Sequence, residues 1–387
     1  MSYLIQAWLD LFAAQGALGI VKVVVMWILG GVLIFLAIKK DMEPALLLPI
    51  GFGAILVNMP GTSVLTDSDG TGIISWLFDV GVAASEAMPI LLFIGIGAMI
   101  DFEPLITNPK LMILGAFAQL GIFVTIILAT LLGFNINDAA SIGIIGAADG
   151  PTSILVAMRL GSQYIGPIMV VAYSYMALVP IIQPAVIKCC TTKKERLIRM
   201  DNNTRHASKS VKIFFPIIIT VVSGLIAPKS LSLIGFLMFG NLIKECGVLG
   251  SLADTAKTTL CNLITLLLGI TIAFQMQADK FLSLQTLMIM GLGLIAFVFD
   301  TVGGIMCAKV MNLFSKKKIN PMIGAAGISA FPMSARVVHK MGLQEDNTNY
   351  LLMHAVGANV SGQVASAIVG GLIIGLVLYG GRYEIFV

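Results

Sequence analysis

The first group in this sequence that could do chemistry is a carboxylate set between chain-breaking residues inside an apolar run. It is Asp149, in the stretch Gly146-Ala147-Ala148-Asp149-Gly150-Pro151-Thr152-Ser153. Apolar sequence leads into it from about Ala139 and resumes at Ile154. An aspartate at the centre of a bilayer-spanning helix costs roughly 2.5–3.5 kcal/mol on insertion scales, so it rarely occurs without a task. Pro151 has no N–H, and Gly146 and Gly150 relax the backbone, so the spacing predicts an unwound turn rather than a continuous helix. Unwound backbone at membrane depth exposes carbonyl oxygens, and beside a carboxylate these suit a hard cation. Cation binding is therefore the chemistry expected of Asp149. The competing reading is a plain ion pair with Arg336.

The composition says what must surround such a residue. Of 387 residues, 58% are hydrophobic and only 11% charged, with a mean hydropathy of +0.97. A soluble globular chain carries about 25% charged residues, so most of this one faces lipid or itself. The net charge of +4 comes from loops rather than a basic face, which argues against nucleic acid. Cys189, Cys190, Cys246, Cys261 and Cys307 show no CxxC spacing and read as apolar fillers. His206, His339 and His354 are scattered, without the HExxH pattern of a zinc site. The N-terminus carries Asp10 and no basic region, and the first apolar run is long enough to span, so no cleavable signal is expected.

In chain order, Met1 to Phe12 reads as a short amphipathic lead-in, and the first span runs from about Leu18 to Ile38. Leu46 to Asn58 is apolar but too short to cross upright, and Pro49, Gly51 and Gly53 interrupt it, so a packed half-helix is expected. Asn58 to Gly72, with Asp67 and Asp69 and no Lys or Arg, suits the outer face. Ile73 to Val82 and Met88 to Ile100 follow, separated by Glu86 and Pro89. Leu111 to Leu132 reads as an unbroken span, Ala139 to Leu160 holds the Asp149 motif, and Ile165 to Ile187 is a further span. Lys188 to Lys212 is the one clearly soluble segment. Its lysines and arginines outnumber Glu195 and Asp201, which marks it as a cytoplasmic loop and, by parity with Lys39 and Lys40, puts the N-terminus outside. Residues 1–187, 188–212 and 213–387 are thus the N-terminal membrane half, the basic loop and the C-terminal membrane half.

The second half echoes the first. Ile142 to Ala148 is matched by Asn320-Pro321-Met322-Ile323-Gly324-Ala325-Ala326, and the Asp149 turn by Gly327 to Ser334 with Pro332 as its proline. Asp101-Phe102-Glu103 corresponds to Asp279-Lys280-Phe281, and Tyr175 falls opposite Asn359. Two broken apolar segments at matching places in two halves are the sequence pointer to a transport site at the repeat interface. The fold class expected is an all-α polytopic membrane protein of transporter type, with two broken-helix repeats, taken to be inverted, and about ten to twelve segments counting half-helices.

These stretches resemble a known family over nearly the whole chain: the beta subunits of biotin-dependent, sodium-translocating decarboxylases. The likeness is carried by Glu43 to Gly53, Ile142 to Thr152, Ala172 to Pro180, Lys193 to Arg196, Lys318 to Pro321, Gly327 to Arg336 and Met353 to Val360. What the resemblance implies is a subunit that couples decarboxylation of carboxybiotin to Na+ export from a bacterial cytoplasm across the inner membrane. The carboxybiotin would sit on a separate carrier, since no Met-Lys-Met biotinylation signature occurs here. The implied partners are a carboxyltransferase (alpha) subunit, a biotin carrier (gamma) subunit, a small single-span subunit and further copies of the chain. The family's functional residues map onto Asp149, Tyr175, Asn320, Gly324, Ser329 and Arg336, with Asn359 in the matching motif of the last span. Na+ would be held by Asp149, Asn320 and Asn359, with Thr152, Ser329 and the backbone at Gly324 adding neutral oxygens. Arg336 would bind a planar carboxylate, and Tyr175 would relay the proton that decarboxylation consumes. Interhelical hydrogen bonding is the plainer role for each neutral group alone. The loop at Asn58 to Gly72 is shorter than in the oxaloacetate enzymes, which favours an acyl-CoA substrate.

No GxxxxGK[ST] loop is present, so ATP is not the expected energy source. A secondary sodium-coupled carrier of organic anions would use the same repeats without chemistry. A non-catalytic membrane anchor would leave the two broken segments without purpose.

Overall fold

The computed structural model describes residues 2–40, 44–61, 63–66, 72–84, 86–200 and 206–380. Glu43, Asp67, Asp69 and Asp201, which entered the sequence reading, lie outside them. Among the described residues all regular structure is helical. Six helices are long and apolar enough to cross a membrane: Gly16–Lys40, Leu111–Leu131, Lys209–Ile226, Gly250–Met276, Leu284–Phe314 and Leu352–Tyr379. The bent helix Ile165–Cys190 and the pair Ile73–Ala83 and Ala87–Met99 would raise the number to eight if each is one span, and Pro44–Val57 and Ile136–Ala147 are shorter apolar helices.

Chain contacts separate two compact units, residues 1–89 with 262–290, and residues 90–261 with 291–387. Each unit draws on both sequence halves. In the first, the helix Ser2–Lys40 kinks at Gly16, whose φ of 67° suits a residue without Cβ. The short helix Pro44–Val57 packs on it so closely that a Cβ on Gly30 would lie 2.7 Å from the Gly51 carbonyl. Asn58 ends that half-helix by donating to the Met276 carbonyl (2.7 Å) and accepting from the Ala278 N–H (2.7 Å).

The second unit holds every residue of the expected site. Its relevant helices are α1 (Leu111–Phe117), α2 (Leu120–Leu131), α3 (Ile136–Gly143), α4 (Gly150–Arg159), α5 (Ile165–Cys190), α6 (Leu284–Phe314, of which 291–314 belong here), α7 (Met322–Ala325), α8 (Met333–Glu345) and α9 (Leu352–Tyr379). One span expected to be unbroken is not. Leu111 to Leu131 is interrupted at Ala118 and Gln119, which leaves α1 and α2 as separate helices. α5 turns by 67° between Ile165–Met176 and Leu178–Cys190. Pro180 explains that bend, because it cannot donate to the carbonyl one turn back and its ring crowds it.

The described residues of the basic segment are fastened to the rest of this unit. Thr192 and Glu195 form a capping box. Arg196 pairs with Glu345 (2.6 Å), Arg199 with Asp346 (2.8 Å) and Lys309 with Glu195 (3.0 Å). Where the helix Lys209–Ile226 begins, Lys212 pairs with Glu103 at 2.7 Å, and His206 stands 3.3 Å from the same carboxylate. The Lys212 hydrogen bond is the main reason the Glu103 carboxyl lies below its ordinary range.

Candidate cation site

The first break is built from local geometry. α3 gives way to a 3₁₀ turn at Ile144–Ala147, Ala148 adopts a left-handed conformation (φ 52°), and Asp149 is extended before α4 begins at Gly150. Pro151 sits in the first turn of α4, where its missing N–H costs nothing. Gly150 leaves room for the ring of Tyr173, which a Cβ there would overlap. Asp149 is buried, and its Oδ2 accepts from Thr152 Oγ1 at 2.5 Å and from Ser366 Oγ at 3.5 Å. No ion pair joins it to Arg336 or to any other described cation.

The second break lies between α7 and α8 and meets the first directly. The Ser329 N–H donates to the Ala147 carbonyl at 3.2 Å. Ser329 Oγ donates to the Gly362 carbonyl at 3.0 Å, and Gln363 Nε2 donates to the Ser329 carbonyl. Asn359 Nδ2 donates to the Ile328 carbonyl at 2.6 Å. Gln183 of α5 ties both sides of this break, donating to the Ala325 carbonyl (2.7 Å) and to Ser334 Oγ (2.8 Å).

Because their amide nitrogens face carbonyls, Asn359 and Gln363 are left with oxygens that accept nothing. Both oxygens are buried without a hydrogen-bond partner, as is the Tyr173 hydroxyl. Buried amide oxygens in that state are uncommon in folded proteins and call for an explanation. Asn359, Gln363 and Ser366 lie at i, i+4 and i+7 of α9 and share one face. Ser366 reaches Asp149 while Asn359 and Gln363 hold the second break, so α9 brings the two breaks to one place.

The expected residues fall into three groups. Asp149, Thr152, Ser329 and Asn359 belong to this junction. Gly324 stands beside it in a packing role: a Cβ there would overlap the Gly304 carbonyl of α6, so glycine lets two backbones touch. Asn320 is committed elsewhere. Its Nδ2 donates to the carbonyls of Arg196 (2.8 Å) and Ile198 (2.9 Å), and its Oδ1 accepts from the Met322 N–H (3.0 Å). It clamps the basic segment onto the start of α7. Its polar atoms are used there, because a single amide satisfies one end of α7 and two loop carbonyls at once.

Arg336 also stands apart, on the exposed face of α8. Tyr175 is buried with its ring against α6, where a Cβ on Gly293 would lie 2.8 Å from Cε2. The tyrosine on the first break is Tyr173. Gln363 and Ser366 were passed over in the sequence, although polar residues at i, i+4 and i+7 of an apolar span are a readable signal. Tyr173 had none, since only the fold tells which of two tyrosines faces Gly150.

A polytopic helical protein in which two broken helices meet around a buried carboxylate and uncommitted neutral oxygens has the build of an ion-transporting membrane protein. The chain belongs to the family of the Na+-transporting oxaloacetate decarboxylase beta subunit, which it matches over residues 22–377. It is 44% identical to the methylmalonyl-CoA decarboxylase subunit beta of Propionigenium modestum, across 96% of this chain and all of that one. It is 47% identical to the glutaconyl-CoA decarboxylase subunit beta of Acidaminococcus fermentans, across 92% and 93% of the two chains. To the oxaloacetate decarboxylase beta chain of Klebsiella pneumoniae it is 41% identical, across 92% and 95%.

Proposed function

We propose that this chain is the membrane subunit of a primary sodium pump, in which decarboxylation of carboxybiotin on a separate carrier drives Na+ outward. The observation that carries this reading is Asp149, buried with no ion pair among the described residues and bonded to Thr152 and to Ser366, whose helix also carries the unpartnered amide oxygens of Asn359 and Gln363. Na+ stripped of its water needs one formal negative charge and several neutral oxygens, and this junction supplies both. Asp149, Thr152, Ser329 and Asn359 are the proposed sodium ligands. Asn320 and Gly324 then act by holding the second break in place.

Decarboxylation of an N-carboxylated biotin breaks the N–CO2 bond and needs one proton on the nitrogen. Arg336, exposed on α8, suits a carboxylate delivered by a soluble partner, because guanidinium binds planar anions bidentately. Tyr175 is the proposed relay for the proton. Moving one charge against the membrane potential requires about 2.3 kcal/mol per 100 mV, so the chemistry and the movement must share a conformational cycle. The meeting of the two breaks supports such a cycle, since neither can move without disturbing the other.

The partners are a carboxyltransferase, a biotin carrier and a small single-span subunit, in the bacterial inner membrane with the basic segment on the cytoplasmic side. An acyl-CoA substrate of the complex is favoured by the higher identity to the glutaconyl-CoA and methylmalonyl-CoA relatives (47% and 44%) than to the oxaloacetate one (41%). The test is Na+ uptake into vesicles holding the reconstituted complex. Uptake blocked by avidin and lost in Asp149→Ala supports the pump. Uptake that ignores avidin assigns the chain to secondary carriers.

A further inference from the structure

Asp300 is a second carboxylate buried in an apolar helix. It is the only charged residue between Leu284 and Ala308, it is 0% exposed, and no ion pair reaches it among the described residues. Its two oxygens are in different situations. Oδ1 accepts the Gly121 N–H, one of the first-turn donors that the interruption at Ala118 and Gln119 leaves without a helical partner. Oδ2 is buried and accepts nothing. It lies against the first break, where a Cβ on Gly146 would come within 2.5 Å of it.

Capping α2 explains Oδ1 and leaves Oδ2 unexplained, since Asn or Ser would cap as well without a charge. An isolated carboxylate at this depth, with one dry oxygen, is the costly arrangement. A proton on Oδ2 removes the cost. A metal ion does not fit as well, because Oδ1 is occupied by an N–H donor and Oδ2 faces the Gly146 backbone carbon. Among the described residues, the groups around Asp300 add no counter-charge. From α2 come Gly121 and Ile122, and from the first break Gly146 with Asp149 three residues on. On its own helix Tyr175 packs at Gly293, Gly324 packs at Gly304, and Lys309 is paired with Glu195.

We propose that Asp300 carries an exchangeable proton, held between the interrupted span of α1 and α2 and the Asp149 break, and that movement of the break loads and empties it. The second half of this statement rests on the pump reading; the first does not. Infrared spectroscopy of the reconstituted complex tests the first half without any turnover. The expected result is the carbonyl band of a protonated carboxylic acid, one per chain, shifted in D2O, absent in Asp300→Asn and retained in Asp149→Asn. The Asn variant keeps the acceptor for Gly121. Should it fail to assemble, Asp300→Glu must shift the band without removing it. A wild-type complex with no such band, or a band unchanged in every Asp300 variant, overturns the proton. A band abolished by added Na+ at constant pH in Asp149→Asn also overturns it, in favour of a second Na+ site. For the second half, Na+ uptake by Asp300→Asn should lose the pH dependence of the wild type. An unaltered pH profile overturns the coupling while leaving the proton in place. Uptake insensitive to avidin would instead overturn the pump reading and leave the infrared result standing.

Discussion

Replacing Thr152 by valine keeps the β-branched shape and removes one hydroxyl. That hydroxyl gives its proton to Asp149 Oδ2 at 2.5 Å with both residues buried, so its lone pairs are left for a cation in the junction. A hydrogen bond to a charged group contributes about 1.5–3 kcal/mol. At about 1.4 kcal/mol per power of ten, half-saturating Na+ should rise by one to two powers of ten. Ser366→Ala is the matched control. Its 3.5 Å contact lies at the limit of hydrogen bonding, so the expected rise is only about two- to threefold. The assay is the Na+ dependence of turnover by the reconstituted complex, together with Na+ protection against thermal unfolding, which follows the same dissociation constant by mass action. An unchanged half-saturating Na+ in Thr152→Val would refute Thr152 as a ligand. Equal effects in the two variants would refute the distance argument.

Three further outcomes are expected. Gly324→Ala should lower the melting temperature of the purified subunit, by an amount corresponding to about 1–3 kcal/mol, because its Cβ meets the Gly304 carbonyl. Arg336→Ala should leave thermal stability within about 0.5 kcal/mol and Na+ protection intact while abolishing avidin-sensitive uptake, since the side chain is exposed. The Thr348 hydroxyl, followed by the Thr348 N–H and Arg199, holds the Asp346 carboxyl at about 2 against an ordinary 3.8. A lowered folded value stabilises above the ordinary one and is lost as pH falls through the lowered one. The anchoring of Arg199 should therefore weaken from about pH 4 downward toward about 2, and Thr348→Val should move that release to higher pH, read as pepsin cleavage near Arg199.

The fold class and the position of the first break were legible because they rest on local chemistry. Gly146, Gly150 and Pro151 disfavour a continuous helix through Asp149, and a long run without charge has few places to go but lipid. The second break was legible only as an echo of the first. The meeting of the two, through Ser329 and Ala147, is a contact between residues 182 positions apart in the sequence and leaves no local trace. The clamp made by Asn320 was illegible for a related reason: an Asn before a proline at a helix start can bind an ion or clamp a loop, and its bonds to the Arg196 and Ile198 carbonyls appear only in the fold. The interruption at Gln119 escaped notice because neither Ala118 nor Gln119 breaks helices. It is sustained by Asp300, which lies on a helix far along the chain.

The crossings of α6 with α7, at the edge of the second break, and with α1 are made at glycines. Gly304 faces Gly324 with backbones in contact, and Gly303 faces the Phe117 carbonyl. Such a seam has no knobs that must leave one set of holes before entering the next, so sliding along it meets little friction. Resistance is gathered instead into a few directional bonds: Gln183 to the Ala325 carbonyl, Ser329 to Ala147 and Asn359 to Ile328. Each contributes about 0.5–1.5 kcal/mol. If the second break moves in the proposed pump, those few bonds, rather than interlocked side chains, set how long it rests in each position.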